Sequence, residues 1–240
     1  MKVLLLSPHF DDAPLSLGQA MLDGELAGHQ TSVGILFSRT NWSQWWYPNP
    51  RRWPLISAIR RGEEAVTSFR FKYKVRGAGL QEYILRTGVG DPDSYRSPIA
   101  AFERNEIRNV VEAVEAVATR WARDVDVVLA PLGVGDHHDH QIVAEAARRL
   151  GERGHTVAYY EDRPYTTWLG AEAAAEVARR VDPTLERRAA SGPITADKHR
   201  RLFYPSQLSA EFQEAIAADE AGDAREFVWV SPDAAWPPKT

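Results

Sequence analysis

Cysteine is missing from this 240-residue chain. Disulfide bonds and thiolate metal sites are therefore excluded, and any bound metal must be held by imidazole and carboxylate groups. Such a donor set suits a catalytic metal better than a structural one. The early part of the chain also lacks a long apolar run, because residues 3–6 are too few for the apolar core of a signal peptide or for a membrane span. We expect a cytoplasmic protein.

An excess of basic residues is lacking too. The formal net charge is −4 and 26% of the residues are charged, which is typical of an ordinary soluble surface. We therefore expect no nucleic-acid partner and no membrane partner. With 44% hydrophobic residues, the chain can form one large core. We predict a single domain over residues 1–240, and a homo-oligomer is left open.

Apolar runs alternate with amphipathic segments along the chain. The pattern predicts strands over 3–7, 31–37, 73–76, 125–130, 156–160 and 226–230. It predicts helices over 14–27, 60–69, 99–121, 139–150, 171–180 and 195–203. This alternation indicates an α/β fold with a Rossmann-like, mainly parallel sheet flanked by helices. No Gly-x-Gly-x-x-Gly follows the first strand, where Gly18 stands alone, so dinucleotide binding is not expected.

Two irregular segments, near 39–54 and 80–98, interrupt this pattern. The first is rich in tryptophan, and a long loop inside a compact domain is usually functional. Because aromatic faces stack on sugars, we predict that Trp42, Trp45 and Trp46 contact the substrate. The alternative, that these rings pack beneath the loop or form a subunit contact, stays open.

Two polar clusters follow predicted buried strands. Residues 7–13 read Ser-Pro-His-Phe-Asp-Asp-Ala, and residues 135–140 read Gly-Asp-His-His-Asp-His. Because the carboxyl ends of parallel strands meet at one edge of a sheet, both clusters belong at that edge. Together they predict one divalent metal site.

Each cluster alone has an ordinary structural explanation. Asp11 or Asp12 suits the cap of the first helix, and Asp139 suits the cap of its own helix. The coincidence of two such clusters favours a metal site. Zinc in a hydrolase takes three protein ligands and keeps one position for water, whose proton a nearby free carboxylate can accept.

The two clusters resemble the signature motifs of the PIG-L/LmbE-like family of zinc-dependent N-deacetylases. Members have a Rossmann-like fold, and many act on N-acetylglucosamine conjugates. Three later segments match in the family's order: 60–65 resembles its Arg-x-x-Glu helix, 159–165 its late strand and turn, and 198–207 its Lys…Tyr-x-Ser-Gln helix.

The resemblance implies one zinc ion per chain, with Asp11 as the general base for the zinc-bound water. The implied metal ligands are two imidazoles and one carboxylate: His9, His140 and Asp12. His137 would stabilise the oxyanion or protonate the leaving amine, and Asp139 would orient a histidine. Iron, cobalt or manganese would accept the same ligands.

The chain departs from the family pattern at two positions. Ala13 stands where many members have an acidic residue, and His138 stands where many have proline. The metal set is intact at both motifs, so these departures bear on the substrate rather than on the chemistry. Beyond the motifs, Arg163 and Tyr165 follow the predicted strand 156–160 and are candidate substrate contacts, while an ion pair of Arg163 with Glu161 or Asp162 is the alternative.

Together these features predict a zinc-dependent hydrolase that removes an N-acyl group, foremost N-acetyl, from an amino sugar or a related small metabolite. One alternative is the same machinery acting on a different acyl group or on a thiol-conjugate amide. The other is a non-catalytic protein that holds a ligand with its tryptophan-rich segment. The free carboxylate beside the metal set argues against the latter.

Overall fold

The computed structural model describes residues 1–233, apart from the side chains of residues 92 and 93. The strands of this part are β1 Lys2–Ser7, β2 Gln30–Ile35, β3 Lys74–Gly77, β4 Val127–Pro131, β5 Val157–Tyr160, β6 Glu186–Pro193 and β7 Arg225–Val230. The helices are α1 Asp12–Leu22, α2 Trp53–Phe71, α3 Tyr83–Thr87, α4 Pro92–Tyr95, α5 Asn105–Ala122, α6 His138–Glu152, α7 Tyr165–Val181, α8 Ala196–Arg201 and α9 Ala210–Ala221.

The strands form one sheet in the order β3-β2-β1-β4-β5-β7-β6. The first five in this order run parallel, and β7 and β6 extend the sheet in antiparallel fashion. The predicted mainly parallel α/β fold is therefore confirmed. The chain proceeds from β1 to one side and later returns to β4 on the other, so the carboxyl ends of β1 and β4 form the topological switch point at which such sheets bind ligands.

The central strand β1 is buried on both faces. Val3 and Leu5 point into one apolar cluster, whereas Leu4 and Leu6 point into the other. This separation follows from the two-residue period of a strand. Burial of each such side chain stabilises the fold by about 1.5–3 kcal/mol, so the strand that carries the first polar cluster is firmly anchored.

Several helix boundaries differ from the predicted ones. Helix α2 begins at Trp53 instead of 60, since Pro54 occupies its first turn, where the missing N–H costs nothing. Helix α5 begins at Asn105 instead of 99, because the backbone N–H of Ile99 donates to the Gln141 side chain at 2.8 Å. Helix α1 ends at Leu22, five residues before the predicted end.

Four of the elements given above have no counterpart among the predictions: α3, α4, β6 and α9. The short helices α3 and α4 lie in the segment near 80–98, which was predicted to be irregular. Strand β6 has its first four residues exposed and so lacks an alternating apolar pattern. Helix α9 is built largely from alanine and acidic residues, with only Ala215 and Asp219 buried, so it carries no clear apolar stripe. None of the described helices combines the length and the apolar character needed to cross a membrane.

Candidate metal centre

The two polar clusters meet at the carboxyl ends of β1 and β4. After β1, the Ser7 hydroxyl donates to the His9 carbonyl at 2.7 Å and accepts from the Ala13 N–H at 3.2 Å, which closes a tight turn into α1. After β4, His137 is the N-cap of α6. The predicted convergence of the clusters at one edge of the sheet is what the structure shows.

His9, Asp12 and His140 form a donor set whose ligand atoms all lie within 4.8 Å of one another. Asp12 Oδ2 lies 3.2 Å from His9 Nδ1, and Asp12 Oδ1 lies 3.4 Å from His140 Nε2. Two imidazole nitrogens and one carboxylate are a suitable donor set for a divalent transition metal, and three protein ligands leave room for water or substrate. The residues present therefore fit such a metal.

A second group of possible donors, His9, His137 and Asp139, shares His9 with the first. Here both carboxylate oxygens of Asp139 are already engaged. Oδ1 accepts from Arg86 Nη2 at 2.7 Å, and Oδ2 accepts from the Tyr83 N–H at 2.9 Å. The first group is therefore the better metal site.

Each imidazole of the favoured set has its other ring nitrogen on a carboxylate. His9 Nε2 lies 3.1 Å from Asp139 Oδ2, as the predicted orienting role of Asp139 requires. His140 Nδ1 lies 2.7 Å from Asp162 Oδ1. Such partners fix the orientation of a ligating ring and raise its basicity.

Asp162 was missing from the predicted site. Its other oxygen accepts the N–H groups of Gly133 at 2.7 Å and Val134 at 2.9 Å, so one carboxylate ties the end of β4 to His140. The available signal was its place directly after β5, at the edge that carries both clusters. An acidic residue at that edge could have been predicted as part of the site by the argument that was used for the two clusters.

Asp11 lies beside the donor set without entering it. Its Oδ1 is 3.5 Å from Arg60 Nη2. Burial and the adjacent Asp12 carboxylate raise the pKa of Asp11 to about 6, against the opposing influence of Arg60 and His9. A carboxyl group whose pKa approaches neutrality is suited to exchanging protons with a substrate or with water.

His137 is held as a neutral ring. Its Nδ1 accepts the Asp139 backbone N–H at 3.1 Å, so its hydrogen is assigned to Nε2. Burial and the neighbouring rings of His140 and His9 lower the pKa of His137 well below its ordinary value. The arrangement gives a neutral N–H donor whose ring centroid lies 5.0 Å from those of His9 and His140.

One cavity of about 100 Å³ is lined by His9, Asp11, Asp12, His137, Asp139 and His140. Of the three tryptophans predicted to contact the substrate, half-buried Trp42 is on its wall. Trp45 and Trp46 are 48% and 41% exposed and lie edge to face with their ring centroids 5.8 Å apart, outside that wall.

Arg163 and Tyr165 also line the cavity. The Arg163 guanidinium, however, is directed to Asp219 and to the Arg225 carbonyl, at 2.7 Å from the latter. The alternative ion pair of Arg163 with Glu161 or Asp162 is therefore replaced by one with Asp219. The Tyr165 ring packs edge to face on His140, 5.7 Å between centroids.

Five wall residues come from the segment 80–98 and were not predicted individually: Glu82, Tyr83, Ile84, Tyr95 and Arg96. Glu82 is buried, and its carboxylate accepts the N–H groups of Asn41 at 3.1 Å and Trp42 at 3.2 Å as well as the Thr40 hydroxyl. The two irregular segments therefore meet at the cavity, and Glu82 joins them.

The fold and the site define an α/β protein with a candidate divalent-metal site of histidine and aspartate residues at its topological switch point. No protein-family model matches the chain. It is 34% identical over 185 residues to 2′-N-acetylparomamine deacetylase of Streptomyces fradiae, covering 74% of this chain and 61% of that protein. This relative is itself a deacetylase, and the resemblance to the PIG-L/LmbE-like deacetylase family that the two motifs predicted is confirmed.

Solved structures support the fold. The zinc-inhibited form of teicoplanin deacetylase Orf2 superposes with a TM-score of 0.69 at 18% identity, covering 98% of this chain and all of that one. GalB, the 4-carboxy-2-hydroxymuconate hydratase of Pseudomonas putida KT2440, gives a TM-score of 0.53 at 13% identity, covering 97% and 96%. One architecture thus carries proteins with different reactions, so the reaction must be argued from the site.

Proposed function

We propose that this protein is a zinc-dependent hydrolase that removes the N-acetyl group from an amino sugar or a related small molecule. The observation that carries the proposal is the presence of three elements in one cavity: the donor set His9, Asp12 and His140, the free carboxyl group of Asp11, and the neutral N–H of His137. The name of the Streptomyces fradiae relative supports an N-acetylated amino sugar as substrate, although the chain spans only about three fifths of that protein.

Zinc is the metal we propose, at one ion per chain. When bound, it would supply Lewis acidity and lower the pKa of a coordinated water. Cysteine is absent and the ligands are two imidazoles and one carboxylate, a set that zinc hydrolases use. The carboxylates of Asp139 and Asp162 would hold the two ligating rings in place.

The chain's own residues supply the proton transfers. Asp11 accepts a proton from the attacking water, and Oδ2 is available for it because Oδ1 faces Arg60. The Nε2–H of His137 donates to the amide oxygen as negative charge develops there. The water oxygen bonds to the amide carbon, and proton return from Asp11 to the nitrogen allows the C–N bond to break. The products are a carboxylic acid and an amine, which become a carboxylate and an ammonium ion at neutral pH.

The size of the cavity supports a short acyl group. At about 100 Å³ it is well below the roughly 300 Å³ at which pockets for whole drug-sized ligands begin. An acetyl group fits the interior, while the sugar would remain at the mouth near Trp42.

The proposal is tested first by the zinc content of purified protein, with zinc titrated back, and by acetate release from N-acetylated amino sugars. We expect about one zinc per chain. Asp11→Asn should keep the metal and lower kcat by about 10²- to 10⁴-fold, the usual contribution of a general base. Asp126→Asn, on an exposed residue at the opposite edge of the sheet, is the matched control.

Two results would contradict the proposal. Full activity of Asp11→Asn would remove Asp11 as the base. Failure to bind any divalent metal after titration would mean that the three donors do not act as a site, and the ligand-binding alternative would then take its place.

A further inference from the structure

Among the described residues, each arginine side chain around the cavity lies within ion-pair distance of a carboxylate, with one exception. Arg60 lies 3.5 Å from Asp11 and 3.6 Å from Glu82, Arg86 lies 2.7 Å from Asp139, and Arg163 faces Asp219. Arg96 also lines the cavity and is exposed. Within the described part of the chain, no carboxylate lies within ion-pair distance of its guanidinium.

Two aromatic rings hold this guanidinium. Its central carbon lies 5.8 Å from the ring centroid of Tyr95 and 5.4 Å from that of Tyr165, which is within cation–π range. Both rings are buried, and both line the cavity. The aromatic contacts restrict the side chain without neutralising its charge, so its hydrogen-bond donors remain available at the cavity mouth.

The backbone of Arg96 is fixed relative to the catalytic groups. Arg96 forms an isolated antiparallel bridge with His137. The Gln141 side chain donates to the Ser97 carbonyl at 2.9 Å and accepts from the Ile99 N–H at 2.8 Å. Arg96 is therefore held at the start of α6, next to the residue that faces the reacting amide, and little ordering is needed when a ligand arrives.

We propose that Arg96 selects a substrate that carries an anionic oxygen group, a carboxylate or a phosphate, beside its acylated amino sugar. The inference rests on the proposed N-deacetylase function and narrows its substrate class. A planar guanidinium matches the two oxygens of such a group with paired hydrogen bonds. An exposed cationic group at the rim of a cleft also attracts ligands of opposite charge before they bind.

The test compares kcat/KM across a matched set of probes. N-Acetylglucosamine is neutral, its 1-phosphate and 6-phosphate are the phosphate arm, N-acetylmuramic acid is the carboxylate arm, and mono-N-acetylated chitobiose carries a free amine. We expect at least one anionic probe to exceed the neutral one by about tenfold or more, which is the usual effect of a charge-assisted hydrogen bond. The preference should weaken with added salt.

Variants assign the preference to its residue. Arg96→Gln should lower the ratio of anionic to neutral kcat/KM by about tenfold, mainly through KM, and Arg96→Lys should keep part of it. Arg120→Gln is the matched control, because Arg120 is in the last turn of α5, which leads to the opposite end of β4. Equal use of all probes, or an unchanged ratio in Arg96→Gln, would overturn the proposal.

Binding separates this inference from the proposed reaction. If no probe is hydrolysed, the affinity of each is measured by tryptophan fluorescence, since Trp42 lines the cavity. An anionic preference that is lost in Arg96→Gln would support the role of Arg96 while the deacetylase proposal fails. Binding of the probes without that preference, or of none of them, would overturn it.

Discussion

The Nζ of Lys198 lies 2.8 Å from Oε1 of Glu226, and this buried ion pair fills a break in α1. Leu17 departs from helical conformation there. Lys198 donates to the Leu15 carbonyl at 2.6 Å, and Glu226 accepts the Gln19 N–H at 2.9 Å. In a regular helix the Gln19 N–H would donate to the Leu15 carbonyl instead. The ion pair thus replaces one helix bond and sets the course of the helix that begins with Asp12.

Loss of one partner of this pair should be costly. We expect Lys198→Met to lower the free energy of unfolding by about 3–5 kcal/mol, because it leaves a buried carboxylate without its cation. Urea unfolding followed by circular dichroism measures the change. Arg179→Met removes an exposed partner of Glu172 and should change stability by less than about 1 kcal/mol. A Lys198→Met loss as small as that of the control would show that the pair is dispensable.

Glu64 should make stability depend on pH. Burial raises the pKa of Glu64 to about 8, although hydrogen bonds from Tyr204 and Tyr73 oppose the shift. The geometry agrees: the Tyr204 hydroxyl lies 2.6 Å from Glu64 Oε2 and 3.1 Å from the Phe10 carbonyl, yet it has only one hydrogen to donate. A proton on Glu64 satisfies both contacts.

The sign of this dependence follows from proton binding. Between the ordinary pKa of 4.5 and the folded value of about 8, the folded protein holds a proton that the unfolded chain has lost. The stability contributed by Glu64 is therefore complete below pH 4.5 and is lost as pH rises through 8, by up to about 1.4 kcal/mol per pH unit. Urea unfolding from pH 5 to 8 should show the wild type losing stability relative to Glu64→Gln as pH rises, because the neutral amide resembles the protonated carboxyl group and does not titrate. Glu106→Gln, on the exposed face of α5, should run parallel to the wild type throughout.

Asp162 should control metal affinity without touching the metal. Asp162→Asn replaces an acceptor of the His140 ring N–H and of two backbone N–H groups by a partly donating amide. We expect zinc affinity to fall by about 10- to 100-fold in a competition titration with a chelator. Asp219→Asn is a control of similar burial whose partners are Thr167 and Arg163. The Asp219→Asn variant should lose stability and keep its affinity for zinc. An equal loss of zinc affinity in both variants would contradict the role of Asp162.

The parallel half of the fold was predictable because its strands are buried on both faces. The runs before His9 and before Gly133 are apolar and lie at the centre of the sheet, so the strand type of each run follows from its apolar composition. Strand β6 was not predictable in this way. It is an edge strand whose exposed residues Glu186 to Arg188 follow no alternation, and it is defined by its pairing with β7.

The same distinction applies to the site. The clusters that contain His9, Asp12 and His140 were accessible from sequence because each cluster follows a buried strand, and the choice of these three as ligands came from the resemblance to the family. Asp162 could have been predicted from its place after β5, whereas Glu82 follows no predicted strand. Glu82 acts through partners up to 42 residues away, and such contacts leave no local pattern. The break at Leu17 was equally hidden, since the groups that stabilise it come from α8 and β7.

The Glu82 carboxylate also bears on how proteins of this kind can diverge. It is buried, and it accepts hydrogen bonds from three residues of the other irregular segment, Thr40, Asn41 and Trp42. Its other partner is Arg60 of α2, at 3.6 Å. If either segment alone were exchanged with that of a relative, the buried Glu82 carboxylate would lose these donors, or the buried N–H groups would lose their acceptor. We therefore expect the two segments to vary together among related proteins, and a redesign should exchange both of them at once.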